Sequence, residues 1–372
     1  MGSGRIGKLL AAVVCLSAAA PLLAQQSGPT QQPAPEATPV APQEGDFIVR
    51  DFRFGSGEVL PELRLHYTTL GAPARDARGR VTNAVLILHG TGGSGWQFLS
   101  PQFAGVMFSP GQLLDATRYF IILPDSIGHG RSSKPSDGLH ARFPHYDYDD
   151  MVRGQHLVLT DGLGVNHLRL VMGTSMGCMH SWKWAENYPD FMDALLPLAC
   201  LPVQIAGRNR MVRKMITDSI RTDPEWNNGE YKSQPRGLRA ALYILLILGS
   251  SPLQMQKAAP TRDAADLYLE DWVKVRAAIT DANDMLYQFD ASRNYDPSPA
   301  LDKLQAPVVA INSADDFINP PELGIAEREI QKVKRGRLVL LPVTEQTRGH
   351  GTHSLPAVWK QYLAELLESS QH

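Results

Sequence analysis

The chain of 372 residues is long enough for one large α/β domain or two small ones, and its 43% hydrophobic and 20% charged residues are ordinary for a soluble globular protein. Its net charge of −2 argues against nucleic acid as a partner, because phosphate binding needs a basic excess, and gives no reason to expect an anionic membrane surface. The three cysteines are too few for a disulfide scaffold or a cysteine-rich zinc site.

The N-terminus has the three parts of a secretory signal peptide. Arg5 and Lys8 form a basic start, the apolar run 9–23 follows, and small residues lead up to Ala24. The run is too short and too rich in alanine for a membrane span, which needs about 20 apolar residues. We therefore predict a signal peptide at 1–24, a secreted or periplasmic protein, and no membrane span after processing. An uncleaved anchor or a mitochondrial-type presequence is the alternative.

The next segment, 25–45, is rich in Gln, Pro and Ala. Such a segment cannot bury enough apolar surface to offset the entropy lost on ordering, so we predict a disordered linker before a folded domain at 46–372. Within that domain, 47–54 and 63–70 are predicted strands joined by a glycine-rich turn, which is typical of a hairpin.

Apolar strands then alternate with helices. The predicted strands are 83–89, 119–124, 168–172, 192–200, 307–311 and 338–341, and the predicted helices among them are 147–163, 176–187, one from about Pro320, and 355–367. Continuous apolar strands separated by helices indicate a mostly parallel sheet covered on both faces. From about 202 to 296 the pattern is helical, with helices at 209–220, 237–248 and 262–279. A helical block that interrupts a parallel sheet predicts an inserted lid over the strand ends, where ligands bind.

Ser175 lies between a predicted strand and a predicted helix, in the pattern Gly173-Thr174-Ser175-Met176-Gly177. Small neighbours let the backbone make the sharp turn that exposes a nucleophilic serine. The hydroxyl then lies at the N-terminus of a helix, whose dipole and free N–H groups favour a developing oxyanion. We predict that Ser175 is a nucleophile; a glycine-flanked serine in an ordinary turn is the alternative.

A serine hydroxyl becomes a strong nucleophile only when a base, oriented by an acid, accepts its proton. In chains with a serine turn of this kind, the acid comes after the serine in the sequence and the histidine comes after the acid. Two adjacent acids, Asp315 and Asp316, follow the predicted strand 307–311, and His350 and His353 follow the last strand. His350 lies between two glycines, which allow a loop to bring the imidazole over the sheet. We predict His350 as the base, with His353 as the alternative, and at this point Asp315 and Asp316 both remain open as the acid.

The run from His89 to Gly93 follows another predicted strand. Glycines there let backbone N–H groups point at a reacting carbonyl oxygen, so we predict that the N–H groups of Thr91 and Met176 form an oxyanion hole. A glycine-rich turn without a ligand is the alternative. The chain has no nucleotide-binding glycine motif and no His-Glu-x-x-His, so we predict neither a cofactor nor a metal.

Cys178 and Cys200 would remain after removal of a signal peptide. An oxidising compartment would allow them to pair. We expect instead two buried small hydrophobic residues beside the nucleophile.

Several further segments form a recognisable set with the serine motif. They are Phe143-Pro144, the run Tyr148-Asp-Asp-Met-Val152, the run 161–166, the elbow sequence GTSMGCMH, and the run 223–231, DPEWNNGEY. As a set they resemble the homoserine O-acetyltransferases, a branch of the α/β-hydrolases, from about residue 50 to the end. The resemblance implies the α/β-hydrolase fold and acyl chemistry. The family's Asp-x-x-x-Pro acid loop matches Asp316 to Pro320, so the resemblance implies Asp316 as the acid, with Asp315 as the alternative. The family's Gly-His matches Gly349-His350.

The chain also departs from that family. Thr174 and Cys178 stand where the family has glycine, and the loop 125–132 looks like that of ordinary α/β-hydrolases. Thr217 stands where an arginine that binds the amino-acid carboxylate is expected, and a neutral hydroxyl cannot replace a bidentate arginine. Arg208, Arg210 or Arg213 is the alternative for that role.

These departures and the predicted export point to water as the acyl acceptor, because a secreted enzyme would not meet cytosolic acyl-CoA. We therefore predict a serine hydrolase that acts on a small-molecule ester or related acyl compound. An acyltransferase of the homoserine O-acetyltransferase type is the alternative, and a non-catalytic binding protein of the same fold is a second one. The oligomeric state stays open, with a homodimer among the alternatives.

Overall fold

The computed structural model describes residues 40–370. The predicted signal peptide, 1–24, and most of the predicted linker lie outside these residues. An eight-stranded sheet runs through the described part, in the order β1-β2-β4-β3-β5-β6-β7-β8. The strands are β1 Gln43–Arg53, β2 Val59–Leu70, β3 Ala84–Leu88, β4 Phe120–Pro124, β5 Leu170–Thr174, β6 Leu195–Leu198, β7 Val308–Ser313 and β8 Gly336–Leu341. In this sheet β2 pairs antiparallel with β1 and with β4, and all the other neighbouring strands pair parallel. The predicted mostly parallel sheet is therefore confirmed.

The first strand begins earlier than the composition suggested. β1 starts at Gln43, inside the segment 25–45 that we expected to be a disordered linker, and Gln43 pairs with Thr69 of β2. The strands of a hairpin are joined by hydrogen bonds between backbone groups, which do not depend on the type of side chain. Composition alone therefore placed the start of the folded domain too late.

Helices cover both faces of the sheet. On one face lie α1 Pro101–Met107 and α10 Pro356–Ser369, and on the other lie α2 Tyr148–Leu157, α3 Met176–Asn187 and α9 Ile325–Ile330. The side chains of β3 alternate between the two layers, since Val85 and Ile87 pack on the first and Leu86 and Leu88 on the second. All four are essentially inaccessible to solvent, which explains why this strand reads as one continuous apolar run.

A helical insertion separates β6 from β7, as the sequence predicted. It contains α4 Gly207–Arg221, α5 Arg236–Gly249, α6 Pro252–Ala258, α7 Arg262–Ala277 and α8 Ala282–Asp290. Its buried residues, such as Ile216, Leu238 and Phe289, join Met176 and Met179 of α3 in one apolar cluster. The insertion is therefore packed directly over the helix that follows the predicted nucleophile.

Among the described residues no single helix is long and apolar enough to cross a membrane. One sharply bent pair of helices, α5 with α6, meets that requirement by length and composition only.

The helix expected from about Pro320 begins later. Pro320 precedes a short 3₁₀ turn, Pro321–Leu323, and Gly324 adopts a left-handed φ of 60° before α9 starts at Ile325. A proline favours the first turn of a helix, but here the second proline, the tight turn and the glycine delay the helix by five residues.

Candidate active site

Ser175 occupies a strained turn between β5 and α3. Its φ of 56° and ψ of −111° lie outside the common regions for a residue with a side chain. The glycines on either side allow the turn, because a Cβ on Gly173 would lie 2.0 Å from the Gly177 carbonyl oxygen, and a Cβ on Gly177 would lie 2.0 Å from that of Leu88. The sequence pattern therefore has a steric cause, and the turn presents the hydroxyl at the start of α3.

The three predicted catalytic side chains lie together. His350 Nε2 is 2.8 Å from Ser175 Oγ, and His350 Nδ1 is 3.1 and 3.0 Å from the two carboxylate oxygens of Asp316. These distances suit a hydrogen-bonded path from the serine hydroxyl through the imidazole to the carboxylate. The acid comes from the loop after β7 and the histidine from the loop after β8, at the carboxyl ends of the parallel strands.

The Asp316 carboxylate is held in its charged form. It is 2% exposed, and burial opposes ionisation, but electrostatic attraction to the His350 ring and hydrogen bonds from His350, the Asn319 amide and the Ile318 N–H outweigh that effect. The pKa of Asp316 is therefore lowered from its ordinary value. An ionised partner fixes the imidazole with its Nδ1 as the donor and its Nε2 as the acceptor toward Ser175.

The alternative acid has a different position. Within residues 40–370, Asp315 makes no hydrogen bond to either histidine ring; its carboxylate accepts hydrogen bonds from the Gly349 N–H at 2.9 Å and from the Ser251 hydroxyl at 3.2 Å. Asp315 is thus not a solvated loop acid. It anchors the backbone immediately before His350, a role that the sequence reasoning missed because it depends on a contact across 34 residues.

The alternative histidine lies behind the first one. The ring of His353 meets the ring of His350 edge-on, with centroids 5.2 Å apart, and its Nδ1 is buried without a partner among the described residues. Burial lowers the pKa of His353 to about 3, and the electrostatic interaction with His350 acts in the same direction. His353 is therefore a neutral packing residue in this arrangement, and it does not reach Ser175.

The glycine-rich loop after β3 lies against the nucleophile, as predicted. A Cβ built on Gly90 would be 3.4 Å from the Ser175 Cβ, so the loop passes within contact distance. Across residues 40–370, neither the Thr91 N–H nor the Met176 N–H donates a hydrogen bond to the protein. Both groups are therefore free to donate to a substrate oxygen.

His89 supports this loop, a role that the sequence reasoning did not assign. Its Nδ1 donates to the Gly90 carbonyl oxygen at 2.9 Å, and its Nε2 accepts from the Ser126 N–H at 3.0 Å. Burial lowers the pKa of His89, so the ring stays neutral and can donate and accept at once. The signal in the sequence was a histidine directly before the glycines.

A cavity of about 620 Å³ opens beside Ser175 and His350. Its apolar wall is formed by side chains from α3, the segment after β6 and the loop after β7: Met179, Val203, Ile205, Ile318, Leu323 and Ile325. Two of the arginines considered above, Arg208 and Arg213, also line it, whereas Thr217 and Arg210 do not. The hydroxyl of Thr217 bonds to the Lys214 carbonyl oxygen within its own helix.

In the described residues no group of three His, Cys, Asp or Glu side chains is arranged to hold a metal ion.

Cys178 and Cys200 form a disulfide, with Cα atoms 5.8 Å apart. Our expectation of two unpaired hydrophobic cysteines was therefore wrong. Cys178 lies in the first turn of α3, and Cys200 follows β6, which is hydrogen-bonded to β5. Because the elbow folds α3 back over the sheet, residues that are 22 positions apart in the chain become neighbours.

The fold and this site define a protein of the α/β-hydrolase class, and residues 83–208 match the family model described as alpha/beta hydrolase fold. The chain is 30% identical to a probable acyltransferase of Methanothermobacter thermautotrophicus over 79% of this chain and 89% of that protein. It is 29% identical to a homoserine O-acetyltransferase of Pelobacter propionicus over 80% and 88% of the two chains.

Solved structures show the same fold. The crystal structure of a homoserine O-acetyltransferase from Bacillus anthracis superposes with a TM-score of 0.75 at 20% identity, covering 89% of this chain and 98% of that one. The acetyl esterase MekB superposes with a TM-score of 0.74 at 24% identity, covering 88% and 97%. The chain belongs to the α/β-hydrolase superfamily, in its homoserine O-acetyltransferase-like branch. It is an enzyme of the esterase-like or acyltransferase kind.

Proposed function

We propose that this enzyme hydrolyses esters or related acyl compounds through an acyl-enzyme on Ser175. The observation that carries the proposal is the path from Ser175 Oγ to His350 Nε2 at 2.8 Å and on to Asp316 at 3.0 Å, which opens onto a largely apolar cavity. A nucleophile, a base and an orienting acid in hydrogen-bond reach are what acyl transfer requires.

Each residue has a defined part in the proposed reaction. As Ser175 Oγ attacks the acyl carbon, His350 takes the hydroxyl proton, and Asp316 stabilises the imidazolium that forms. The N–H groups of Thr91 and Met176 donate to the oxygen that becomes negative. His350 then protonates the departing alcohol oxygen. In the second half, a water loses a proton to His350 and attacks the acyl carbon. The bond between the acyl carbon and Ser175 Oγ then breaks as His350 returns the proton to Ser175 Oγ, which releases the acid and the free enzyme.

Water is the proposed acyl acceptor for two reasons. The neutral Thr217 stands where the resemblance would require a carboxylate-binding arginine, and its hydroxyl is turned back to its own helix. The predicted signal peptide would place the enzyme where acyl-CoA is absent, and the disulfide between Cys178 and Cys200 is compatible with an oxidising compartment. The rival is acyl transfer to an amino acid, which is favoured by the names of several relatives and by the 223–231 segment.

Replacement of the nucleophile tests the chemistry. Ser175→Ala should lower kcat for p-nitrophenyl esters by about 10⁴- to 10⁶-fold, as removal of a nucleophile does in other serine hydrolases. A fluorophosphonate probe should label the wild type at Ser175 and not the variant. Ser219→Ala is the matched control, because that hydroxyl only bonds the Met215 carbonyl oxygen within α4. An unlabelled wild-type protein would instead favour a binding protein that kept the fold.

The acceptor is tested by comparing two reactions of the same preparation. We expect hydrolysis of p-nitrophenyl esters of short chain length to exceed acetyl transfer from acetyl-CoA to homoserine. Much faster transfer to homoserine would overturn the assignment to hydrolases and leave the role of Ser175 intact.

Export is a separate proposal with its own test. N-terminal sequencing of the protein from its native host should find a mature start near Gln25. An intact Met1 on cytosolic protein would contradict export and would remove one of the two reasons for choosing water.

A further inference from the structure

Two consecutive carbonyl oxygens at the end of β6 hold the nucleophile and, through an amide, the acid. The Leu198 oxygen accepts the Ser175 N–H at 2.9 Å, which fixes the backbone of the nucleophile. The Ala199 oxygen accepts the Asn319 side-chain amide at 3.0 Å, and the same amide group donates to the Asp316 carboxylate, also at 3.0 Å. A shift of this short segment therefore displaces both catalytic groups together.

Ala199 has a left-handed backbone. Its φ of 65° is unfavourable for a residue with a side chain and persists only where the surrounding contacts enforce it. On the side of the sheet, the Ala199 N–H donates to the Ile311 carbonyl oxygen of β7 at 2.9 Å. Within residues 40–370, the backbone of the next residue, Cys200, makes no hydrogen bond. The tie on that side is the disulfide to Cys178, so the bond holds the strained residue in place.

The other end of the disulfide is anchored firmly. Cys178 lies in the first turn of α3 and is 1% exposed. This turn is packed so closely against β5 that a Cβ built on Gly173 would lie 2.9 Å from the Cys178 nitrogen. The disulfide thus joins the segment after β6 to the helix that begins directly behind Ser175.

We propose that the disulfide and Asn319 are positioning residues of the reaction. With the bond closed they hold Ser175 and Asp316 in place, and reduction of the bond lowers turnover in a protein that stays folded. The inference rests on the proposed function, because turnover at Ser175 is what the bond modulates. A displacement of about 1 Å costs about 10²-fold in rate, so a bond that does not touch the substrate can still set kcat.

A small reductant can reach one end of the bond. Cys200 is half-buried and lines the same cavity as Ser175, whereas Cys178 is enclosed. A thiolate of a dithiol attacks the Cys200 sulfur, forms a mixed disulfide there and displaces the Cys178 thiolate. The second thiolate of the reductant then attacks its own sulfur in the mixed disulfide and releases the Cys200 thiolate. The dithiol ends as a cyclic disulfide, having given two electrons and two protons to the cysteines.

Reduction of the wild type is the direct test. The protein is treated with dithiothreitol, freed of it by anaerobic gel filtration and assayed with p-nitrophenyl acetate, while thiol titration and circular dichroism report the bond and the fold. We expect kcat to fall by about 10- to 100-fold, with a smaller change in KM, and to recover on reoxidation. Full activity with both thiols free would overturn the inference. Unfolding on reduction would also overturn it, because the bond would then serve the fold and not the site.

Asn319 tests the path from the bond to the acid. Asn319→Leu should lower kcat by about 10-fold or more at nearly unchanged KM. Reduction should then cost less than in the wild type, because the two changes break one path. Asn283→Leu is the matched control, since it also removes buried amide hydrogen bonds, to Trp226 and Gly229, and its kcat should stay near that of the wild type. Losses that multiply fully in reduced Asn319→Leu would overturn the inference.

A spectroscopic signal separates this inference from the proposed function. The proton on His350 Nδ1 lies between the imidazole and Asp316, and its downfield NMR resonance depends on that hydrogen bond. Reduction and Asn319→Leu should each shift or broaden the resonance, and Asn283→Leu should leave it unchanged. A resonance that responds in a protein without ester turnover would contradict the proposed hydrolase and leave the positioning role standing. Ester turnover with a resonance and a kcat that ignore reduction would do the opposite.

Discussion

The carboxylate of Asp315 accepts a hydrogen bond from the backbone N–H of Gly349 at 2.9 Å. Its neighbour in the chain, Asp316, holds the ring of His350 through both oxygens. The two adjacent acids therefore fix the same histidine in different ways, one through the backbone before it and one through its imidazole.

This division of roles predicts different effects of the same substitution. Asp316→Asn should lower kcat by about 10⁴-fold, because an amide cannot hold the imidazole in the required tautomer or stabilise its cation. Asp315→Asn should do little, since an amide oxygen can still accept from the Gly349 N–H, whereas Asp315→Ala should lower kcat more than it raises KM. Steady-state kinetics on a p-nitrophenyl ester measures both. A larger loss for Asp315→Asn than for Asp316→Asn would show that the acids are wrongly assigned.

The two histidines allow a similar comparison. His350→Gln should abolish most activity, by about 10⁴-fold or more, because it removes the base. His353→Gln should cost less than about 10-fold, since the ring of His353 contacts His350 but not Ser175. Folding is checked by the thermal midpoint, because His353 is packed and its replacement can lower stability. Equal losses of activity in two folded variants would contradict the assignment.

Buried neutral histidines predict acid sensitivity. Burial, which desolvates the charged form, lowers the pKa of both His129 and His353 to about 3, while an unfolded histidine titrates near 6.5. The unfolded chain therefore binds protons that the folded one does not, so stability is complete above pH 6.5 and falls as the pH drops toward 3. Each group should contribute a slope of about 1.4 kcal/mol per pH unit in that window.

Urea unfolding between pH 7.5 and 4.5 measures this slope. In His129→Gln, measured at the same protein concentration, the slope of the free energy of unfolding against pH should fall by the contribution of about one bound proton. An unchanged slope in the variant would mean that His129 is protonated or accessible in the folded state.

The disulfide predicts a redox-dependent stability. Opening the bond between Cys178 and Cys200, which closes a segment of 22 residues, should lower the free energy of unfolding by about 3 kcal/mol by the chain-entropy relation. Urea unfolding with and without a dithiol reductant tests this, and the Cys178→Ser, Cys200→Ser double variant should be insensitive to the reductant. Two reactive thiols in the denatured, unreduced protein would show that the pair is open.

Much of the site could be predicted because its parts are local. The glycines at 173 and 177 are required by the backbone of the turn itself, so their spacing around Ser175 was visible in five adjacent residues. The loops with Asp316 and His350 follow strands that are recognisable by their apolar runs. The choice between Asp315 and Asp316, and between His350 and His353, was harder, because side chains that are one or three positions apart in the chain contact different partners.

The sequence by itself determined the order of the strands, most of the helices, the place of the helical insertion and the serine elbow, because hydrophobic periodicity and steric limits act within a few residues. The short helices α1, α6 and α8 were not predicted. Only the tertiary structure decided that Cys178 meets Cys200, that Asp315 holds Gly349, and that Asn319 reaches Ala199. These relationships join segments 22 to 120 positions apart. They depend on which strands are adjacent in the sheet and on how α3 packs, which no local pattern of residues encodes.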